Sequence, residues 1–140
     1  MYGSRYLENQ VLSTDSVGLV RLLYERAIDS LRHAQQMLAQ GRIRERSTAI
    51  SKAMEIVLEL QSSLDLERGG EIAVNLAQLY VYIQERLAAA NAERKAAALD
   101  EAMRLLLILY DGWKDISAGA AAEVSAVGPL AVEPARAWNL

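Results

Sequence analysis

The stretch that determines the fold is "SSLDLERGGEIAVNLAQLYVYI", residues 62–83. Two adjacent glycines, Gly69 and Gly70, interrupt it, and a long apolar run without another glycine or proline follows at once. Glycine adopts backbone conformations that other residues resist, so the pair predicts the end of one helix and a tight reversal of the chain. The run after the glycines holds more apolar and tyrosine side chains than one buried helix face requires.

The 3.6-residue apolar period that follows the glycines also occurs in three other segments of the chain. Together they predict helices over about residues 16–40, 44–66, 71–91 and 96–116. Asp15 is expected to cap the first helix and Gly41 to end it. Short connections force sequential helices to lie antiparallel. The predicted fold class is therefore all-α, an antiparallel up-down four-helix bundle.

The third helix carries two apolar stripes. The stripe expected to face the core comprises Ile72, Leu76, Leu79, Ile83 and Leu87. At about 100° per residue, Val74 lies about 200° from Ile72, and Ala77, Val81 and Ala88 continue this second line. Tyr80 and Tyr82 flank the first stripe and are expected to face outward. The second stripe predicts apolar surface outside the core.

Surplus apolar surface has two interpretations. It indicates extra burial, as in a permanent homodimer of a helical structural protein, or it forms grooves for a helical partner with anchors at i, i+3, i+4 and i+7. The second interpretation predicts a client-binding groove. Its candidate residues are Ile56, Leu58, Val74, Ala77, Val81, Tyr82 and Leu107.

The ends of the chain lack the helical period and divide it into three regions. Residues 1–15 are predicted to form an arm that covers a groove, with Tyr6, Leu7 and Val11 as the covering side chains. Residues 16–116 form the predicted bundle, and residues 117–140 a flexible alanine-rich tail. Trp138 in that tail indicates either an untethered terminus or a short docking motif.

Composition excludes several classes of function. The net charge of the 140 residues is −3 without a basic stripe, which argues against nucleic acid as a partner. There is no cysteine, and His33 is the one histidine, so we expect no metal site, no cofactor and no enzymatic role. No apolar run approaches the ~20 residues that span a bilayer. We expect a cytoplasmic protein without membrane insertion.

Three segments resemble one known family. "SSLDLERGGEIAVNLAQLYVYIQERLAAAN", residues 62–91, is similar to the characteristic block of the flagellin-specific export chaperones, the FliS family. "LLYERAI", residues 22–28, resembles the first-helix motif of that family. "YLENQVLSTDS", residues 6–16, resembles its tyrosine-containing arm, although Asp15, Ser16 and Val17 replace the usual serine–proline–glutamate.

The resemblance implies a fold and a function. Members are antiparallel four-helix bundles that bind the disordered C-terminal region of flagellin as helices in apolar grooves, displacing the N-terminal arm. They keep flagellin unpolymerised and deliver it to the flagellar type III export apparatus. We therefore expect a monomer that binds its client one to one. An adaptor for another helical peptide remains an alternative.

Overall fold

Four helices make up the part of the chain that the structure describes. The computed structural model describes residues 16–127, with side chains over residues 18–115. The helices are α1 (Ser16–Ala39), α2 (Ile43–Ser62), α3 (Leu66–Glu93) and α4 (Ala96–Val127). Residues 16–127 contain no strand. The predicted all-α class is confirmed.

The helices form an up-down bundle in which each one packs against two neighbours. α1 lies between α2 and α4, and α3 closes the other side of the bundle between the same two helices. Side chains that meet across α1 and α4 run in opposite order, since Glu25 contacts Tyr110 whereas Gln35 contacts Asp100. Neighbouring helices are therefore antiparallel, as the short connections require.

The core consists of one apolar cluster to which all four helices contribute. The largest side chains with almost no exposed surface are Tyr24, Tyr80, Leu31, Ile50, Leu60, Ile83, Leu87, Leu99, Leu106 and Val57. Burying one such aliphatic side chain stabilises the fold by roughly 1.5–3 kcal/mol. Of the stripe predicted to face the core on the third helix, Ile83 and Leu87 belong to this set.

Gly41 ends α1, as expected from the sequence. Its φ of +70° lies in the left-handed region. The amide of Arg42 donates to the carbonyl of Met37 at 2.9 Å, and the amide of Gly41 donates to that of Leu38 at 3.1 Å. This pair of bonds is the Schellman motif, which satisfies carbonyls that have no partner inside the helix. The proposed Asp15 cap lies outside the described residues.

The prediction that the double glycine ends the second helix is wrong. α2 ends at Ser62, and the non-helical connection to α3 comprises residues 63–65. Asp65 then caps α3, because its side chain accepts hydrogen bonds from the amides of Glu67 and Arg68. Short polar side chains at this position satisfy amides that the first helical turn leaves free.

The glycines instead produce a kink inside α3. Gly70 has φ +54° and ψ −132°, a conformation that residues with a Cβ rarely adopt. No atom lies within 4 Å of the position that a Cβ would occupy, so the backbone conformation and not a close contact requires glycine here. The helix therefore changes direction just before its long apolar segment begins.

The core face of α3 is rotated from the predicted one. Ile72 was expected in the core but is 57% exposed, and Ala73 is buried in its place. Tyr80 was expected to face outward, but it is fully buried and hydrogen bonds through its hydroxyl to that of Tyr24. Burial raises the pKa of Tyr24 well above its usual range, so its phenol stays neutral.

The end of α4 differs from the predicted one, and the predicted arm lies outside the described residues. α4 does not end near Ile116 but continues to Val127, which places the start of the predicted tail within a helix. The arm over residues 1–15, with Tyr6, Leu7 and Val11, lies outside the described residues, as does Trp138. The covering role of the arm stays a prediction.

Candidate protein-binding surface

Two hydrogen bonds define which side of α3 faces each neighbour. The side-chain amide of Gln84 donates to the carbonyl of Met54 on α2 at 2.8 Å. The hydroxyl of Tyr82 donates to the carboxylate of Glu101 on α4 at 2.6 Å. These two α3 residues lie about 160° apart around the helix axis. Each exposed α3 side chain can therefore be assigned to the α2 side or the α4 side.

The second stripe of α3 points outward, and most of it lies nearer the α2 side. Val74, Ala77, Val81 and Ala88 follow one another at spacings of three, four and seven and so share a face. Ala77, Val81 and Ala88 lie within about 60° of Gln84, whereas Val74 lies about 80° from both Gln84 and Tyr82. Val74 is 43% exposed and Val81 44% exposed, whereas Ala77 is half-buried. The second line that the sequence indicates is thus a row of accessible apolar side chains beside α2.

α2 continues this row across the gap between the two helices. Met54 accepts a hydrogen bond from Gln84, and Arg46 donates one to Asn91. Because the two helices are antiparallel, these bonds set a register that places Leu58 level with Tyr80 and Val81. Leu58 is 58% exposed. We call this area the α2/α3 surface. Its members are Ile43, Met54 and Leu58 on α2, and Val74, Ala77, Val81 and Ala88 on α3.

The shape of the α2/α3 surface also suits a helical partner. Ala77 and Ala88 on α3 and Ser51 on α2 lie along it, and small side chains allow another backbone to approach closely. At the end where α2 begins, the surface deepens into a pocket. Apolar anchors at helical spacing beside small residues are the features of a groove that binds an amphipathic helix.

The remaining candidate residues lie on other sides of the bundle. Ile56 is one turn beyond Lys52, which faces α1 across a pocket that also contains Asp29. Leu107 is one turn before Tyr110, which contacts Glu25 of α1. Both side chains are half-buried and pack against the core. The structure therefore does not bring these two residues together with the α2/α3 surface.

Tyr82 is 40% exposed but belongs to the opposite side of α3, beside α4. Glu101 accepts from Tyr82 and also pairs with Arg86 through its other oxygen at 2.7 Å. The hydrogen bond to Glu101 raises the pKa of Tyr82, and the same bond together with Arg86 lowers the pKa of the Glu101 carboxyl. Tyr82 thus joins α3 to α4.

Sequence reasoning missed two features of the exterior. Ile43 is exposed beside the pocket, and Arg46 is buried within its wall. The run "GRIRER", residues 41–46, contained a signal, since an isolated isoleucine among charged residues at a helix start has no core stripe to join. Outside the α2/α3 surface, Ile72, Leu66 and Ile108 are also exposed.

The described residues offer little for other chemistry. Among residues 18–115, histidine, aspartate and glutamate do not gather in a group of three that could hold a metal ion. None of the four helices, over the described range, combines the length and the apolarity needed to cross a membrane.

Comparison with known proteins decides the family. The model of the family described as flagellar protein FliS matches residues 1–120. The chain belongs to the FliS family. The match begins before α1, takes in α1, α2 and α3, ends within α4 and leaves residues 121–140 outside it.

Relatives with similar sequences are named as FliS proteins throughout. The flagellar secretion chaperone FliS of Salmonella typhimurium is 38% identical over 117 residues, covering 83% of this chain and 87% of the relative. FliSB of Pseudomonas aeruginosa is 38% identical over 111 residues, covering 79% and 88%. FliS of Bacillus subtilis is 26% identical over 109 residues. By these names, FliS is a family of chaperones and not of enzymes.

Proposed function

We propose that this chain is a flagellar export chaperone that binds the disordered C-terminal region of flagellin as a helix on the α2/α3 surface. Binding keeps flagellin unpolymerised in the cytoplasm and presents it to the flagellar type III export apparatus. The observation that carries the proposal is the accessible row formed by Leu58, Val74 and Val81, in a chain of the FliS family.

Physical chemistry supports a partner of this kind. Exposed apolar side chains that form one continuous patch are a liability unless a partner covers them. A disordered segment that folds on binding typically loses 2–5+ kcal/mol of the gross interaction energy to ordering. Offsetting that loss requires an extended interface, above the ~1,600 Å² of a standard one. The length of the α2/α3 surface, from Ile43 to Val74, suits a client helix of several turns.

The experiment that tests the function mixes the protein with a flagellin C-terminal peptide and resolves the products by size-exclusion chromatography and sedimentation. We expect a monomer alone and a one-to-one complex with the peptide. A stable homodimer that ignores the peptide would contradict the proposal, and would indicate instead that the apolar surface joins two copies of the chain.

We also propose that the N-terminal arm occupies the client's place through Tyr6, Leu7 and Val11. Deleting residues 1–11 should then strengthen flagellin-peptide affinity, because the peptide no longer competes with a tethered segment at high effective concentration. Isothermal titration calorimetry measures the change. Unchanged affinity, together with unchanged binding of an apolar dye, would contradict the covering role.

A further inference from the structure

The pocket at the end of the α2/α3 surface has a positively charged wall. Ile43, Arg46 and Ser47 line it from the first turns of α2, and Asn91 and Arg94 from the end of α3. The complete lining is Ile43, Arg46, Ser47, Met54, Ala88, Asn91, Ala92 and Arg94. It contains two arginines and no carboxylate, so its charge is opposite to that of the whole chain.

Arg46 is buried without an anionic partner among the described residues. It is 4% exposed. Its Nη2 donates to the carbonyl of Asn91 at 3.2 Å, and its Nε has no acceptor. A guanidinium carries five N–H groups, and a buried cation without a carboxylate is costly. The carbonyl of Asn91 at the negative end of α3 compensates for part of this cost.

The start of α2 adds a second attraction for an anion. Arg42 occupies the N-cap position of α2, and its side chain makes no hydrogen bond to the amides of the first turn. The first amides of α2 are therefore left without a side-chain acceptor at the positive end of the helix dipole. The nearby carboxylates pair with other cations, Glu45 with Arg42 at 3.6 Å and Glu93 with Lys95 at 3.1 Å.

We propose that this pocket, between the start of α2 and the end of α3, binds the terminal carboxylate of the polypeptide that occupies the α2/α3 surface. The inference rests on the proposed function, in which the client is the C-terminal region of flagellin. Such a region necessarily ends in a free carboxylate. The apolar row leads to the pocket at the end of the bundle where α3 stops. A client helix running parallel to α3 would bring its last residue beside Arg46 and Arg94.

The test compares two synthetic flagellin C-terminal peptides, one with a free terminal carboxylate and one with a terminal amide. A charge-assisted hydrogen bond is worth roughly 1.5–3 kcal/mol, or about 10- to 100-fold in affinity. We expect amidation to weaken binding to the unmodified protein by at least about tenfold. In Arg46→Gln the acid-over-amide preference should be clearly smaller than in the unmodified protein, because one of the two charged partners is absent and only Arg94 remains.

A second variant keeps the test valid if Arg46→Gln weakens the fold by breaking the link to Asn91. Arg94 is exposed, so Arg94→Gln removes a pocket charge without opening the core. We expect it to reduce the acid-over-amide preference, whereas Arg104→Gln, an exposed arginine of α4 away from the pocket, should leave the preference intact. Arg46→Lys should retain part of the preference.

The possible results separate this inference from the proposed function. If both peptides bind the unmodified protein equally, or if the preference persists unchanged in Arg46→Gln and Arg94→Gln, the carboxylate pocket is wrong while flagellin binding stands. If neither peptide binds, the proposed function fails and the pocket has no client carboxylate to receive.

Discussion

Val81→Asp should weaken the binding of a flagellin C-terminal peptide by about 100-fold or more while leaving the helical content unchanged. Val81 is exposed in the middle of the α2/α3 surface, level with Leu58, so a client helix would bury whatever side chain stands there. Burying an unpaired carboxylate is strongly unfavourable, whereas an exposed aspartate in the free protein remains hydrated. Calorimetry measures the affinity and circular dichroism the helical content.

Asn75→Asp is the matched control for Val81→Asp. It introduces the same carboxylate into the same helix at an exposed position, but seven residues before Tyr82 and therefore on the side that faces α4. We expect its peptide affinity to stay within a few-fold of that of the unmodified protein. An equal loss of affinity in both variants, or unfolding of Val81→Asp, would contradict the assignment of Val81 to the binding surface.

Tyr80→Ala should lower the free energy of unfolding by about 3–5 kcal/mol, the range found when a large buried ring is truncated. Tyr80 is fully buried, so the change leaves a cavity at the centre of the bundle. It also removes the hydrogen-bond partner of the buried Tyr24 hydroxyl, and such a loss costs roughly 1–3 kcal/mol within that range. Urea denaturation monitored by circular dichroism measures the difference.

Tyr82→Ala serves as the comparison, since it removes the same side chain two residues further along α3. Tyr82 is exposed and its bond to Glu101 lies at the surface, so we expect a much smaller loss of stability than in Tyr80→Ala. Equal destabilisation by the two substitutions would mean that Tyr80 does not lie in the core.

Helix number and order could be predicted from the sequence because the 3.6-residue period is strong in all four segments. The phase of α3 could not. The expected stripe and the observed core share Ile83 and Leu87, and Leu76 and Leu79 pack half-buried against that core. The two differ at Ile72, which is exposed, and at Ala73, Tyr80 and Ala90, which are buried. Apolarity favours isoleucine, but the tyrosine hydroxyl finds a buried partner in Tyr24 on another helix, which a single segment cannot reveal.

The candidate surface could be predicted only one helix at a time. The stripe of Val74, Ala77 and Val81 was identifiable because all three residues lie on α3. Ile56 and Leu107 were grouped with them because they also depart from their own core stripes. Which neighbour such a side chain faces depends on the order of helices around the bundle, and a helical period carries no information about that order.

Methyl-resolved NMR of the protein titrated with a flagellin C-terminal peptide tests the location of the client most directly. We expect large changes at the methyl groups of Leu58, Val74 and Val81, and much smaller ones at Ile56 and Leu107, which face α1. Changes concentrated at Ile56 and Leu107, with Val74 and Val81 unaffected, would contradict a client helix on the α2/α3 surface.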